Sequence, residues 1–145
     1  MRVRDEAGQV TVLIIGFATI LLMAIVVVID ASAAYLQRQG LDSLADGAAL
    51  YGADLGADGI YEHGVGAERL MPEEEAVRAA VADYLVRTRA QQRYPGIDVS
   101  VVVHEADRSV TVALEAPLDL PLQIPGSPAQ PIVAASSTAS VTVMP

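Results

Sequence analysis

The sequence predicts an α+β protein with one long N-terminal helix, then an amphipathic helix and a three-stranded antiparallel sheet. Three observations predict this fold class. An uncharged apolar stretch covers residues 7–29, a segment from residue 72 onwards has helical periodicity, and later segments alternate apolar and polar residues. A chain of 145 residues leaves room for one small domain. The amphipathic helix can cover one face of the sheet, as a two-layer domain requires.

The apolar stretch is long enough to cross a membrane. Fourteen of the twenty residues from 10 to 29 are Val, Leu, Ile or Phe. Together these residues contribute about −6 kcal/mol to the free energy of inserting the helix into a membrane. Twenty helical residues also match a hydrocarbon layer of about 30 Å. We therefore predict a tail at residues 1–9 and a transmembrane helix in contact with membrane lipid at residues 10–29.

Two other interpretations of the apolar stretch have to be weighed. A buried globular helix is also apolar on all sides, but the rest of this chain is too small to surround it. A cleaved secretory signal would use Arg2 and Arg4 as its basic region and residues 31–33 as its cleavage site. Such signals have an apolar region of about 7–15 residues, which this stretch exceeds, and two acidic residues precede it here. A retained span is therefore favoured.

The charges around the span predict its orientation. Arg2 and Arg4 precede the span, whereas Arg38 follows it. The positive-inside rule counts such basic residues, so it favours an N-terminus inside and a C-terminal domain outside. Most of the formal net charge of −9 lies beyond the span. That domain should therefore repel nucleic acid and anionic headgroups.

Residues 30–55 are predicted to continue the span as a helical stem. The segment has no Pro and many good helix formers. A spacing of three and four residues predicts one packing face. The proposed helix-packing interface consists of Leu41, Leu44, Ala45, Ala48 and Leu55. This face has two open interpretations, packing against the chain's own domain or against a partner helix.

An α+β head is predicted for residues 56–145, beginning with an exposed Gly- and Asp-containing loop at residues 56–70. This loop lacks the 12-residue ligand spacing of a calcium-binding EF-hand. His63 and His104 are isolated from each other in sequence, so their spacing predicts no metal site.

The amphipathic helix has clear start and stop signals. Pro72 suits a first helical position, three glutamates follow it, and residues 94–96 (Tyr-Pro-Gly) should end the helix. Its predicted apolar face consists of Ala76, Val77, Ala80, Val81, Tyr84 and Leu85.

Alternating residues predict the three strands. Residues 97–104 and 109–116 form a hairpin around a turn at residues 105–108, and residues 132–143 form the third strand. Five prolines between residues 117 and 131 exclude an inner strand there, because proline donates no ladder hydrogen bond. We expect that segment to be an extended crossing loop that covers the sheet.

No catalytic motif is present in the sequence. It contains no Cys, no G-x-S-x-G, no H-E-x-x-H and no P-loop. We therefore predict no enzyme, no catalytic residue, no cofactor and no small-molecule substrate.

The N-terminal part of the sequence resembles a known family. The resemblance is carried by residues 5–12, Asp30 after the span, Tyr35, Arg38 and the run Leu41-Asp42-Ser43-Leu44-Ala45-Asp46-Gly47-Ala48-Ala49-Leu50. These features resemble the N-terminal region of TadE/TadG-like proteins of the Tad (tight adherence, Flp-type) pilus-assembly systems. About the first fifty-five residues are covered, and the rest is matched by architecture alone, a pilin-like lollipop.

The resemblance implies a minor-pilin-like component of a pilus-assembly or secretion system in the bacterial cytoplasmic membrane. Its partners would be pilins or inner-membrane platform proteins. The alternative is a membrane-anchored extracytoplasmic binding module or adhesin unrelated to pili. Gly8 is a possible prepilin-type processing site. However, the fifth residue after it is Leu13 where prepilins carry Glu, which is similar to the uncut TadG-like branch.

Overall fold

The computed structural model describes residues 7–62, 74–104, 106–122 and 131–140. Helix α1 runs from Ala7 to Glu62, 56 residues without interruption. At 1.5 Å per residue it is about 84 Å long. It contains both the predicted span and the predicted stem, which therefore form one continuous helix.

Helix α1 extends further than the sequence predicted. The expected loop at residues 56–70 is wrong for residues 56–62, which are helical, while residues 63–70 lie outside the described part. A glycine costs a helix interior about 1 kcal/mol relative to alanine. Extending an existing helix adds one hydrogen bond per residue without a new nucleation step, so the glycines do not end it at residue 56.

Two shorter helices follow, α2 at Glu74–Arg87 and α3 at Ala90–Arg93. Pro72 and Glu73, which we expected at the start of α2, lie outside the described residues. The prediction of one helix as far as Tyr94 is wrong, because Arg89 adopts a left-handed conformation with φ 54°. The Thr88 hydroxyl donates to the Tyr84 carbonyl (2.9 Å), which stabilises the end of α2 locally.

The sheet contains strands β1 (Asp98–His104), β2 (Ser109–Pro117) and β3 (Ile132–Ser140). All are antiparallel in the order β1-β2-β3, so β2 is central. Val112 pairs with Val101 on one side and with Ser137 on the other. Arg108, with φ 48°, lies in the turn of the predicted β1–β2 hairpin.

The hydrophobic core lies between the sheet and the helices. Helix α1 crosses β2 and β3, whereas α2 packs beside α1 near β1. The core residues of the sheet alternate along the strands, as the sequence predicted; those fully buried on β2 and β3 are Val110, Val112, Leu114, Ala116, Ala135 and Ala139. The predicted α+β fold class is confirmed.

Candidate functional site: the two faces of the helical stem

One face of the stem packs against the chain's own head. Leu41, Ala45 and Ala48 are fully buried there. Leu44 is half-buried and packs against the same core. Leu55 is 40% exposed, because it lies beyond Ala53, the last buried residue of the stem. Four of the five residues proposed for a helix-packing interface therefore contact the head.

Glycines allow two tyrosines to reach the stem backbone. The hydroxyl of Tyr94 lies where a side chain at Gly40 would begin, and the hydroxyl of Tyr84 occupies the same space at Gly47. Any larger residue at these glycines would collide with a ring of the head. The small residues of the stem thus permit close contact between α1 and the head.

Two polar side chains of the stem bind the connection that follows β2. The Gln37 amide donates to the Pro117 carbonyl (2.7 Å) and accepts from the Asp119 amide (3.0 Å). Two helical turns before Gln37, the Asp30 carboxylate accepts a hydrogen bond from the Leu122 amide (3.3 Å). These bonds, which we call the stem clamp, hold the described part of the proline-containing connection against α1.

A third contact joins α1 to α2. The Tyr51 hydroxyl donates to Asp83 (3.3 Å), which also forms an ion pair with Arg87 at 2.7 Å. The Arg87 guanidinium lies 5.8 Å from the centre of the Tyr51 ring. The ring centres of Tyr51 and Tyr84 are 5.6 Å apart. Ring and charge contacts of this kind add modestly to the buried packing.

The opposite face of the stem is largely exposed. Its exposed apolar residues are Tyr35 at 68%, Leu36 at 65% and Leu50 at 63%. Leu36 and Leu50 are fourteen residues apart, four turns along one side of the helix. Ser43 lies between them, and Asp46 lies beside them. We call this surface the outward face of the stem.

The apolar part of α1 has no protein around it. Within the part of the chain that the structure describes, α1 alone is long and apolar enough to cross a membrane, and its most apolar window is 0% buried. An apolar helix without a protein cover fits a single-pass anchor, because lipid can cover all its sides.

The described residues offer no site for a metal ion. Among them no group of three or more His, Cys, Asp or Glu side chains comes together. His104 ends β1 as an exposed residue, whereas His63 lies outside the described residues. The candidate site in the described part of the chain is the pair of stem surfaces, one packed against the head and one exposed.

An apolar N-terminal helix, a helical stem and a small α+β head fit a single-pass membrane-anchored protein. Residues 8–55 match the family described as Tad, Putative Flp pilus-assembly TadE/G-like. The resemblance found in the sequence is confirmed over this region, which holds the span and the stem. The match supports a role in pilus assembly and favours a structural protein. No curated protein and no solved structure matches the chain.

The sequence did not assign a role to the residues of the stem clamp. Asp30 was noted only as part of a family-like motif and Gln37 was not singled out, and their hydrogen-bond partners are 92 and 80 residues away. The available signal was their spacing of seven residues. That spacing puts two polar groups on the same side of the helix as Leu41 and Leu44, where apolar residues are expected.

Proposed function

We propose that this chain is a minor-pilin-like component of a Tad/Flp-type pilus-assembly or secretion system. The span anchors it in the bacterial cytoplasmic membrane, with the N-terminus inside and the head outside. It works by packing against other proteins and has no chemistry of its own. Its partners are the helices of pilins or of the inner-membrane platform.

One observation carries this proposal: within the family-matched region, the stem has an exposed apolar face while its other face is already occupied. Leu41, Ala45 and Ala48 are buried against the head and leave no surface for a partner. Tyr35, Leu36 and Leu50 remain exposed on the stem. Large apolar side chains on a helix that faces solvent are typical of a helix-in-groove contact, in which they anchor the partner.

The span supports the same mode of assembly. Membrane helices associate through close packing, because lipid and apolar side chains are equally apolar and provide no hydrophobic drive. Gly16 in the span has no other atom within 4 Å of the place where its side chain would be. A partner helix can therefore approach the backbone of the span at that position.

The test replaces residues on the outward face of the stem. Leu36→Asp and Leu50→Asp should abolish or shorten surface fibres, or block the related secretion, while the protein accumulates normally. Ile132→Asp is the matched control, because Ile132 is 67% exposed on β3 and alternates with Val133, which packs against the core, so its side chain lies on the face of the sheet opposite the stem. The control should leave fibres unchanged.

Substitutions at Ala45 and Ala48 are unsuitable for this test. Both residues are fully buried in the head contact, so larger side chains there would disturb the fold itself. Normal fibres in both outward-face variants would contradict the stem-docking proposal. If deletion of the whole gene also left fibres and secretion intact, the membrane-anchored binding module or adhesin would replace the pilus component.

A further inference from the structure

A groove separates α2 and α3 from strand β1. It encloses about 790 Å³ and is lined on the helix side by Leu85 and Val86 and on the strand side by residues 99–101. Val86 is 76% exposed, the most exposed of the large apolar residues on the described surface. The head therefore carries an exposed apolar helix residue at a groove between α2 and β1.

The groove reaches the backbone edge of β1. Val99, Ser100 and Val101 all line it. Side chains of consecutive strand residues point to opposite faces, so the contact of all three residues with one groove involves backbone atoms of the strand. The Val99 amide donates to the Asp98 carboxylate (2.9 Å). Since ladder bonds alternate between the two sides of a strand, Val99 and Val101 direct their backbone groups away from β2.

The two layers of the head differ in width. Packed helices lie about 8–10 Å apart, so α1 and α2 together cover roughly 18 Å. Strands lie about 4.8 Å apart, and a layer of that width covers close to four of them. The sheet has three strands, and α1 already covers β2 and β3. The space for one more strand lies beside β1 and beneath α2.

The charge of the groove is opposite to that of the chain. The formal net charge is −9, yet among the residues that the structure describes the groove is lined by Arg78 and Arg89 and by no acidic residue; the Asp98 carboxylate, on the Val99 amide, lies next to it. Arg78 pairs with Glu74 on the exposed surface, and Arg89 forms no ion pair with any residue that the structure describes. Arg78 and Arg89 are eleven positions apart in the sequence, about 16 Å at the helical rise. This distance lies between four and six residues of an extended strand, the two spacings that keep both side chains on one face.

We propose that the groove binds an extended acidic segment of a partner protein as a fourth strand of the sheet. Backbone groups of that segment pair with Val99 and Val101 and displace the Asp98 carboxylate from the Val99 amide, while its alternate apolar side chains contact Leu85 and Val86. Two carboxylates six residues apart, which lie on one face of the strand, pair with Arg78 and Arg89. This binding site is separate from the outward face of the stem and adds a second type of partner contact.

An extended segment without a helix packed over it fits the groove better than a second copy of this chain does. In a second copy, β1 has α2 above its free edge and β3 has α1 above it. Placing either edge beside β1 would bring that helix into the space beneath and beside α2. A segment without a covering helix avoids this collision, and α2 then covers it.

The experiment uses the full chain in lipid nanodiscs and two synthetic peptides. Both peptides contain the five-residue stretch threonine-valine-threonine-valine-threonine; one carries glutamate at each end and the other carries lysine, so the end charges and the two valines lie on one face. Hydrogen exchange at the Val99 and Val101 amides and fluorescence anisotropy are measured. The glutamate peptide should slow exchange at both amides and bind at least tenfold more tightly than the lysine peptide.

Charge reversal gives the matched comparison. Arg89→Glu should weaken the glutamate peptide at least tenfold and strengthen the lysine peptide, whereas Arg108→Glu, in the exposed β1–β2 turn, should change neither. Equal binding of both peptides, or no slowing of exchange at millimolar peptide, would overturn the proposal. So would concentration-dependent dimerisation that protects the two amides without peptide, because a second copy would then occupy the groove.

Discussion

At Gly40 the absence of a side chain is what lets Tyr94 pack against the stem. A methyl group there would overlap the Tyr94 hydroxyl, while the next ring atom lies 3.3 Å away. Tyr94 is buried in the core, so its ring cannot swing into solvent. The steric conflict is therefore limited to one hydroxyl group.

We predict that Gly40→Ala destabilises the head and that Tyr94→Phe relieves the effect. Overpacking should lower the free energy of unfolding by about 1–3 kcal/mol. The higher helix propensity of alanine should offset about 1 kcal/mol of that loss. The net loss should be about 1 kcal/mol, and Gly40→Ala in the Tyr94→Phe background should be neutral or stabilising. Denaturant unfolding of the detergent-solubilised chain measures both. Gly16→Ala, with open space around it, is the control and should not change unfolding of the head; a destabilised double variant would contradict the steric explanation.

Gln37 is the residue that fixes the connection after β2 to the stem. Gln37→Ala removes two hydrogen bonds, which should lower the free energy of unfolding by about 1–2 kcal/mol. Hydrogen exchange at the Asp119 amide, which donates to Gln37, should become faster. Gln39→Ala is the control, since Gln39 is exposed on the same helix. Unchanged exchange at Asp119 would show that the bond contributes nothing.

At the scale of the element, α1 is one helix with two different environments around its stem. Leu41 is fully buried, whereas Leu36 is 65% exposed five residues earlier. Leu41→Ala should therefore cost about 2–4 kcal/mol of stability through loss of burial and the cavity that remains. Leu36→Ala should stay within about 0.5 kcal/mol of wild type. Thermal unfolding of the two variants checks this, and similar values for both would contradict the assignment of the two faces.

The helices and strands differ in how well the sequence predicted them. The alternation in β2 and the apolar positions Val77 and Val81 of α2 follow from local periodicity, and the structure confirms them. The break between α2 and α3 depends on Arg89, a left-handed residue other than glycine, for which the sequence gives no signal. The stem clamp joins residues about eighty positions apart, and no local pattern specifies which carbonyl Gln37 meets.

At the scale of the whole molecule, the predicted orientation can be tested directly because the chain contains no cysteine. A single cysteine at Asp107, in the exposed β1–β2 turn, should react with a membrane-impermeant maleimide added to spheroplasts. A single cysteine at Arg4 should react only after the membrane is permeabilised. The reverse pattern would contradict an N-terminus inside and a head outside.

Retention of the span is a separate prediction. Leu13 occupies the position where a prepilin-type substrate carries Glu, and the apolar stretch is longer than a typical secretory signal. Intact mass of the membrane-extracted protein should correspond to a chain that still contains residues 10–29. A mature N-terminus at Gln9 would show processing at Gly8, and one at Ala34 would show removal of the span.

Because α1 runs unbroken from the span into the stem, the rotation of the span about the helix axis fixes the rotation of the head about the same axis. Each helical residue turns the chain by about 100° and advances it by 1.5 Å. The core and the stem clamp fix the head to one side of α1. The side of the span that contacts neighbouring proteins therefore also determines the direction in which the head projects from the helix axis. One residue inserted after Ile29 would turn the head through more than a quarter of a circle while leaving all its internal contacts intact.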